Sequence, residues 1–321
     1  MRWFFVCVPG AASRGEPFVL ESAAVMMPPP SLFSSVTVLV LWCVAMRSLC
    51  TTGSAADVPG VGDRTKELPR PGEVFPVAGR TAFLIPAKDS GKPEKPWVWY
   101  APTLPGLPGN EERFMIDRFL QTGIAVAGID VGESYGSPEG RRGFDALYAE
   151  LTAVRGYSRK PVLLGRSRGG LMALSWAAEN PDKVGGFAGI YPVCNLESYP
   201  GLAKACGAYG MTAQELQARL REHNPVDRLA GLARAAVPLF AIHGDVDTVV
   251  PLEANSGRVR ERYEALGGSM QLVVVKGQGH NMWSGFFECT ELVEFVVRHS
   301  GDRAVSARPA AKTTLPANHE R

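Results

Sequence analysis

Short apolar runs alternate with longer amphipathic stretches between residue 80 and about residue 300. Several runs, including 124–129 and 238–243, contain no charged residue, which is typical of strands in a sheet covered on both faces. The predicted strands are 81–86, 97–101, 124–129, 161–164, 185–190, 238–243 and 270–275. The predicted helices are 111–121, 143–154, 169–179, 213–222, 252–266 and 287–299.

This alternation of strands and helices predicts the fold class α/β, with a doubly wound, mostly parallel sheet and helices on both faces. Active sites in such sheets lie at the carboxyl ends of the strands. Residues 191–234 interrupt the alternation, because they are polar, rich in glycine and contain one amphipathic helix. We therefore expect a small insert over the pocket.

The two ends of the chain differ from this domain. Residues 31–46 form an apolar run with the length of a signal h-region, and small residues follow at 51–56. We expect residues 1–56 to be a signal peptide or an N-terminal anchor, and a cleaved signal predicts a secreted or periplasmic protein. The remaining divisions are a linker or sheet edge at 57–79, the domain at 80–300 and a disordered tail at 301–321.

Composition adds few constraints. The net charge of +2 gives no reason to expect nucleic acid or an acidic membrane surface as a partner. A small molecule is the expected partner, with no stable membrane association unless the N-terminal segment stays uncleaved. The cysteines and histidines lack zinc-site spacing, so neither a metal nor an organic cofactor is expected. Beyond the signal lie Cys194, Cys206 and Cys289, where a Cys194–Cys206 disulfide and three free thiols both remain open.

A candidate nucleophile lies where a predicted strand meets a predicted helix. Residues 161–180 read PVLLGRSRGGLMALSWAAEN, which places Ser167 between Gly165 and Gly169. This Gly-x-Ser-x-Gly pattern presents a serine on a sharp strand-to-helix turn. We expect the two glycines to provide room where a side chain would collide with the neighbouring helix or strand.

A second match to the pattern surrounds Ser134, between Gly132 and Gly136. The residues that follow it include Pro138, Gly140 and Gly143, which predict a loop at 138–143. Because the apolar, helix-forming stretch follows Ser167 alone, we favour Ser167 as the nucleophile.

A serine hydroxyl needs a neighbouring base and a group that orients the base. Of the five histidines, only His280 lies in a glycine-rich loop after the last predicted strand. The segment 243–251 follows the preceding strand and offers Asp245 and Asp247 as the acid.

Here the chain resembles the α/β-hydrolase family, in particular its dienelactone-hydrolase-like and prolyl-oligopeptidase-like members. These commonly carry Gly-x-x-Asp-x-x-Val-Pro at this place, and Gly244, Asp247, Val250 and Pro251 fit the spacing. The resemblance implies that Asp247 orients His280, which leaves Asp245 to support the turn.

The resemblance also implies an oxyanion hole made by two backbone amides. One is the amide of Arg168, and the other comes from the loop after strand 97–101. Pro102 has no N–H, so the amides of Ala101, Thr103 and Leu104 remain. We name Thr103 as the candidate for the second amide of the oxyanion hole. The Tyr100 hydroxyl is an alternative.

The expected function is a serine hydrolase that cleaves carboxylic esters through Ser167, His280 and Asp247. A serine peptidase of the prolyl-oligopeptidase type is the alternative, although such enzymes normally carry a propeller domain for which this sequence has no room. A non-catalytic binding protein on the same fold is a third reading.

Arg166 and Arg168 flank the serine, where they either attract an acidic substrate or form salt bridges to carboxylates such as Asp130 and Glu133.

Overall fold

An eight-stranded sheet forms the centre of the protein. The computed structural model describes residues 66–88 and 95–301. The strands are β1 (Glu73–Val77), β2 (Arg80–Ile85), β3 (Trp97–Ala101), β4 (Ala125–Ile129), β5 (Val162–Arg166), β6 (Gly186–Ile190), β7 (Leu239–Gly244) and β8 (Met270–Val275). Their order across the sheet is β1-β2-β4-β3-β5-β6-β7-β8. The β1–β2 and β2–β4 pairs are antiparallel, and every other pair is parallel.

Helices cover both faces of this sheet. They are α1 (Arg113–Gln121), α2 (Pro138–Ala149), α3 (Gly169–Glu179), α4 (Leu202–Ala205), α5 (Ala213–Ala218), α6 (Leu220–His223), α7 (Ala230–Arg234), α8 (Ser256–Ala265), α9 (Ser284–Phe287) and α10 (Thr290–His299). A turn of π-helix at Glu150–Val154 extends α2. Short 3₁₀ turns lie at Pro181–Lys183, Cys206–Tyr209, Pro225–Asp227 and Leu252–Ala254.

The hydrophobic core has two layers, one on each face. Trp97 and Trp99 of β3 pack with side chains from α2, α3 and α8. Val98 and Tyr100 of the same strand belong to the opposite layer, with α1 and α10. Successive side chains of a strand point to opposite faces, so a strand buried along its whole length serves both layers. The predicted fold class is confirmed.

Most of the predicted elements are present. Each predicted strand is found with its ends displaced by at most two residues, and α3 has both of its predicted ends. The predicted helix 213–222 is divided into α5 and α6 at Arg219, whose backbone leaves helical geometry.

The prediction of a loop at 138–143 is wrong, because α2 begins at Pro138. The Ser137 side chain caps this helix by accepting a hydrogen bond from the Gly140 amide at 3.3 Å, and proline is suited to the first helical position. The glycines permit close packing: a Cβ on Gly140 would lie 2.4 Å from the Ser134 hydroxyl, and one on Gly143 would lie 2.6 Å from Val131.

Of the two alternatives for residues 57–79, a linker or a sheet edge, Glu73–Val77 takes the second and forms the edge strand β1. Phe75 and Val77 alternate with more exposed neighbours, which matches a strand with one buried face. Pro76, which lacks an N–H, is tolerated because β1 pairs with β2 alone at the edge of the sheet.

The insert at 191–234 carries helices α4 to α7. Its apolar side chains, such as Leu196 and Leu216, form a cluster with Leu171 at the start of α3 and Val250 after β7. The insert therefore packs near the carboxyl ends of the strands. In the described part of the chain, no helix is both long and apolar enough to cross a membrane. The predicted signal segment 1–56, the first part of the linker and residues 302–321 of the tail lie outside the described residues.

The approach of α3 to β3 leads to a stability prediction. A Cβ added to Gly169 would lie 2.0 Å from the Ala101 carbonyl oxygen, so Gly169→Ala forces the helix and strand apart. We expect the free energy of unfolding in urea to fall by about 2 kcal/mol or more. Gly207→Ala is the matched control, because a Cβ on Gly207 meets no heavy atom within 4 Å. Equal unfolding free energies for the two variants would contradict the predicted clash.

Candidate active site

Ser167 lies at the turn between β5 and α3, in a left-handed backbone conformation with φ +50°. Non-glycine residues rarely adopt this conformation, which costs on the order of 1–3 kcal/mol. Three hydrogen bonds hold it: the Ser167 amide donates to the Ile190 carbonyl at 3.0 Å, and its carbonyl accepts from Gly170 at 2.9 Å and Val193 at 2.8 Å. The turn is therefore anchored on both sides by its neighbours.

The glycines around Ser167 occupy positions where the backbones nearly touch. A Cβ on Gly165 would lie 2.8 Å from the Gly170 Cα, between β5 and the first turn of α3. Gly169 lies against Ala101, the last residue of β3. The expectation that side chains at these positions would collide with the neighbouring helix or strand agrees with this geometry.

The structure brings Ser167, His280 and Asp247 together in a chain of hydrogen bonds. The Ser167 Oγ lies 2.9 Å from His280 Nε2, and His280 Nδ1 lies 2.8 Å from Asp247 Oδ2. Because a carboxylate only accepts, Nδ1 carries the proton, and Nε2 is left to accept from the serine hydroxyl. This is the tautomer that a general base needs.

Asp247 is buried, with its side chain enclosed by N–H donors. Oδ1 accepts from the amides of Val249 at 2.9 Å and Val250 at 2.8 Å. On the Oδ2 side, His243 Nε2 lies 3.4 Å away, in addition to His280. Burial acts to raise the pKa of this carboxyl group, but the hydrogen bonds from His243, Val250 and His280 outweigh burial and lower the pKa to about 2. Asp247 is therefore ionised at neutral pH.

The two alternative residues are placed elsewhere. Asp245 is exposed, and its Oδ1 accepts a hydrogen bond from the Gly277 amide at 2.6 Å, which supports the turn as expected. Ser134 is buried, and its hydroxyl has no hydrogen-bond partner among the described residues. His280 Nε2 therefore contacts the hydroxyl of Ser167, whereas the Ser134 hydroxyl precedes the helix α2 and contacts no such base among the described residues.

The amide of Arg168 lies at the N-terminus of α3, where helical N–H groups have no partner within the helix. The loop that carries Thr103 starts beside it, because the Ala101 carbonyl lies against Gly169. Thr103 is buried, and its hydroxyl donates to the Tyr100 carbonyl at 3.2 Å. The candidate amides of Arg168 and Thr103 therefore belong to adjoining segments.

The Tyr100 hydroxyl, the alternative oxyanion donor, is engaged elsewhere. It donates to Glu112 Oε1 at 2.8 Å, and burial raises the pKa of this phenol. Glu112 is fully buried and also accepts from the Gly109 amide at 2.7 Å and from Arg166 at 2.5 Å. One carboxylate thus joins β3, the far end of the Thr103 loop and the residue before Ser167.

The two arginines that flank Ser167 both form ion pairs. Arg168 pairs with Glu133, which the sequence analysis names as a possible partner. Arg166 pairs with Glu112, which the sequence analysis does not name. Sequence reasoning missed Glu112 because it lies more than fifty residues away from Arg166, and no local pattern distinguishes it from Glu111. In this structure, carboxylates of the chain itself balance both guanidinium charges.

The His280 imidazole packs against Tyr191, and the loop that carries His280 continues into Met282 and Trp283. The Tyr191 ring lies 4.3 Å from the imidazole, centroid to centroid, and Met282 Sδ lies 3.1 Å from Arg166 Nη2. Met282 and Trp283 are among the most exposed large apolar residues in the described ranges. The loop of His280 therefore exposes two large apolar side chains within three residues of the imidazole.

The Cys194–Cys206 disulfide, left open by the sequence, is not formed; Cys194, Cys206 and Cys289 are all free. The Cys194 thiol is buried and lies 3.6 Å from the Pro192 carbonyl oxygen, and burial raises its pKa. The Cys206 thiol instead faces the Ala203 carbonyl at 3.4 Å, within its own helical segment.

Residues 149–302 of the chain match the model of the prolyl oligopeptidase family. No curated protein sequence matches the chain.

Among solved structures, the chain is similar to a puromycin-hydrolyzing peptidase from Mycobacterium tuberculosis, with 16% identity and a TM-score of 0.55 over 72% of this chain and 39% of that one. An acylaminoacyl peptidase from Pyrococcus horikoshii gives 15% identity and a TM-score of 0.56 over 72% and 42% of the two chains. Est1E from Butyrivibrio proteoclasticus gives 17% identity and a TM-score of 0.51, over 72% of this chain and 99% of that one.

The chain spans well under half the length of the two peptidases, but it covers nearly all of Est1E. These structural similarities, the mostly parallel sheet and the family match agree with one another. The chain therefore has the α/β-hydrolase fold, and its residues 149–302 resemble the prolyl oligopeptidase family.

Proposed function

We propose that the protein is a serine hydrolase that cleaves carboxylic esters through an acyl-enzyme intermediate. The hydrogen-bond chain from the Ser167 hydroxyl through His280 to Asp247 carries this proposal, with distances of 2.9 and 2.8 Å. Each link has the polarity that acyl transfer requires: a hydroxyl donor, an imidazole with a free acceptor nitrogen, and an ionised carboxylate.

The first half of the reaction forms the acyl enzyme. Ser167 Oγ attacks the ester carbonyl carbon while His280 Nε2 takes the hydroxyl proton, and the carbonyl oxygen becomes negatively charged. The amides of Arg168 and Thr103 donate hydrogen bonds to this oxygen. When the carbon–oxygen bond to the alcohol breaks, Nε2 returns the proton to the leaving alkoxide, and the acyl group stays on Ser167.

The second half releases the acid. A water molecule attacks the acyl carbon as His280 Nε2 takes its proton, and the bond to Ser167 Oγ breaks as Nε2 protonates that oxygen. Asp247 stays ionised throughout and stabilises the imidazolium that forms twice. Every proton transfer therefore runs through one nitrogen, and each step uses groups of this chain.

Replacing the nucleophile tests the reaction most directly. Ser167→Ala removes the attacking oxygen, so we expect hydrolysis of p-nitrophenyl acetate to fall to background while the circular-dichroism spectrum is retained. The wild-type protein should also react covalently with a fluorophosphonate probe, and the variant should not. A wild-type protein inert to both reagents would instead favour a binding protein on this fold.

The two carboxylates of the acid loop provide a matched pair of variants. Asp247→Asn cannot hold His280 in the required tautomer, so kcat should fall by about 10³- to 10⁴-fold. Asp245→Asn makes the same chemical change two residues away, at an exposed group whose one side-chain hydrogen bond among the described residues comes from the Gly277 amide. Its kcat should stay near the wild-type value, and comparable losses in both variants would contradict the assignment of Asp247.

A serine peptidase is the second candidate, favoured by the match of residues 149–302 to the prolyl oligopeptidase family. The same groups attack an amide, although an amine leaves less readily than an alcohol and depends more on protonation by His280. We expect higher kcat/KM values for p-nitrophenyl esters than for Xaa-Pro and aminoacyl p-nitroanilides. A preference for the anilides, abolished by Ser167→Ala, would establish the peptidase instead.

A further inference from the structure

His243 is a buried histidine at the carboxyl end of β7, directly behind the acid, and it takes no part in the proton transfers described above. Its side chain is completely buried. Nδ1 lies 2.8 Å from the Ser256 hydroxyl at the start of α8, and Nε2 lies 2.8 Å from the Val250 carbonyl oxygen. The same Nε2 lies 3.4 Å from Asp247 Oδ2. A single ring therefore contacts a helix, the acid loop and the acid itself.

The partners of His243 determine its tautomer. The Val250 carbonyl only accepts hydrogen bonds, so Nε2 must carry a proton. In the neutral ring Nδ1 is then an acceptor, and the Ser256 hydroxyl donates to it. The opposite tautomer would direct a lone pair at both the Val250 carbonyl and the Asp247 carboxylate, which is electrostatically unfavourable in a buried site.

The acid loop depends on contacts at its inner side. The two valines that precede Val250 in the loop, Val246 and Val249, are 55% and 49% exposed, so the outer side of the loop has little packing. On the inner side, Val250 donates its amide to Asp247 and offers its carbonyl to His243. The position of the Asp247 carboxylate is thus coupled to His243 through both a direct contact and Val250.

We propose that His243 is a positioning residue of the hydrolase, which holds Asp247 against His280 by directing its Nε2 proton to the Val250 carbonyl and towards Asp247 Oδ2, while the Ser256 hydroxyl donates to Nδ1 and fixes the ring. This inference rests on the proposed function, because it assigns His243 to the machinery of the same reaction. His243 touches neither the nucleophile nor the base, and it acts through the acid alone.

Two substitutions at position 243 distinguish the effect of the Nε2 proton donor from the effect of the volume that the side chain fills. In His243→Gln the side-chain amide nitrogen lies about as far from the backbone as Nε2 and again donates a proton, whereas His243→Leu fills the space without a donor. We expect kcat for p-nitrophenyl acetate to fall by about 10- to 100-fold in His243→Leu, since small misplacements of catalytic groups have effects of this size. KM should change little, and His243→Gln should recover much of the lost kcat.

A second variant tests the same inference with His243 left in place. Ser256→Ala removes the partner of Nδ1 and leaves the ring held only at Nε2, so the ring can tilt away from Asp247, and kcat should fall while KM stays unchanged. Ser175→Ala is the matched control, because Ser175 is equally buried and its hydroxyl has no partner among the described residues. Its kcat should equal that of the wild type.

The outcomes of this experiment distinguish the inference from the proposed function. If the wild-type protein neither cleaves the ester nor reacts with a fluorophosphonate probe, the proposed function fails, and the inference fails with it. If the wild type is active but His243→Leu and Ser256→Ala, checked for folding by thermal unfolding, retain wild-type kcat, only the positioning role is overturned. The role is also overturned if His243→Gln is as impaired as His243→Leu while both remain folded.

Discussion

The architecture of the site depends on how closely the start of α3 approaches β3 and β5. Backbone atoms meet at Gly165, Gly169 and Gly170 at separations that leave no volume for a Cβ. This approach forces the chain to reverse direction within a few residues, and Ser167 adopts an unfavourable left-handed conformation as a result. The interior of a protein is packed as densely as an organic crystal, so the turn has no slack through which the strain could relax. The serine hydroxyl is therefore held at the end of the sheet, 2.9 Å from His280 Nε2.

Buried charges near this turn are stable because each is matched by donors. Asp247 has N–H groups from two loops on its oxygens, and Glu112 has a tyrosine, a backbone amide and Arg166. An unpaired carboxylate at either position would be costly to bury and would tend to take up a proton. The same bonds that neutralise the cost also fix the loops, since each carboxylate contacts more than one segment of the chain.

Arg166 and Arg168 each form an ion pair with a carboxylate of this chain, and this affects how the site would treat an acidic group. A guanidinium with a carboxylate partner in its own chain has less to gain from an acidic substrate than an unpaired one. The loop of His280 also exposes two large apolar side chains, Met282 and Trp283.

The sequence by itself determined the features that arise from local periodicity and short motifs. The seven strands from β2 to β8, α3 and the turn at Ser167 follow from apolar runs and glycine spacing within stretches of about twenty residues, and His280 was selected by its glycine-rich loop. A family spacing distinguishes Asp247 from Asp245. The spacing does not reveal the physical difference between the two, which is that N–H donors enclose the Asp247 carboxylate.

Tertiary structure alone decided the contacts between distant residues. The pairing of Arg166 with Glu112, the contacts of His243 with Ser256 and Asp247, and the separation of the Cys194 and Cys206 thiols have no local signature. The start of α2 at Pro138 was misjudged for a related reason: glycines that predict a loop by local propensity were required there by close neighbours. Local rules describe what a segment can do alone, whereas these features depend on which surface the folded chain brings against it.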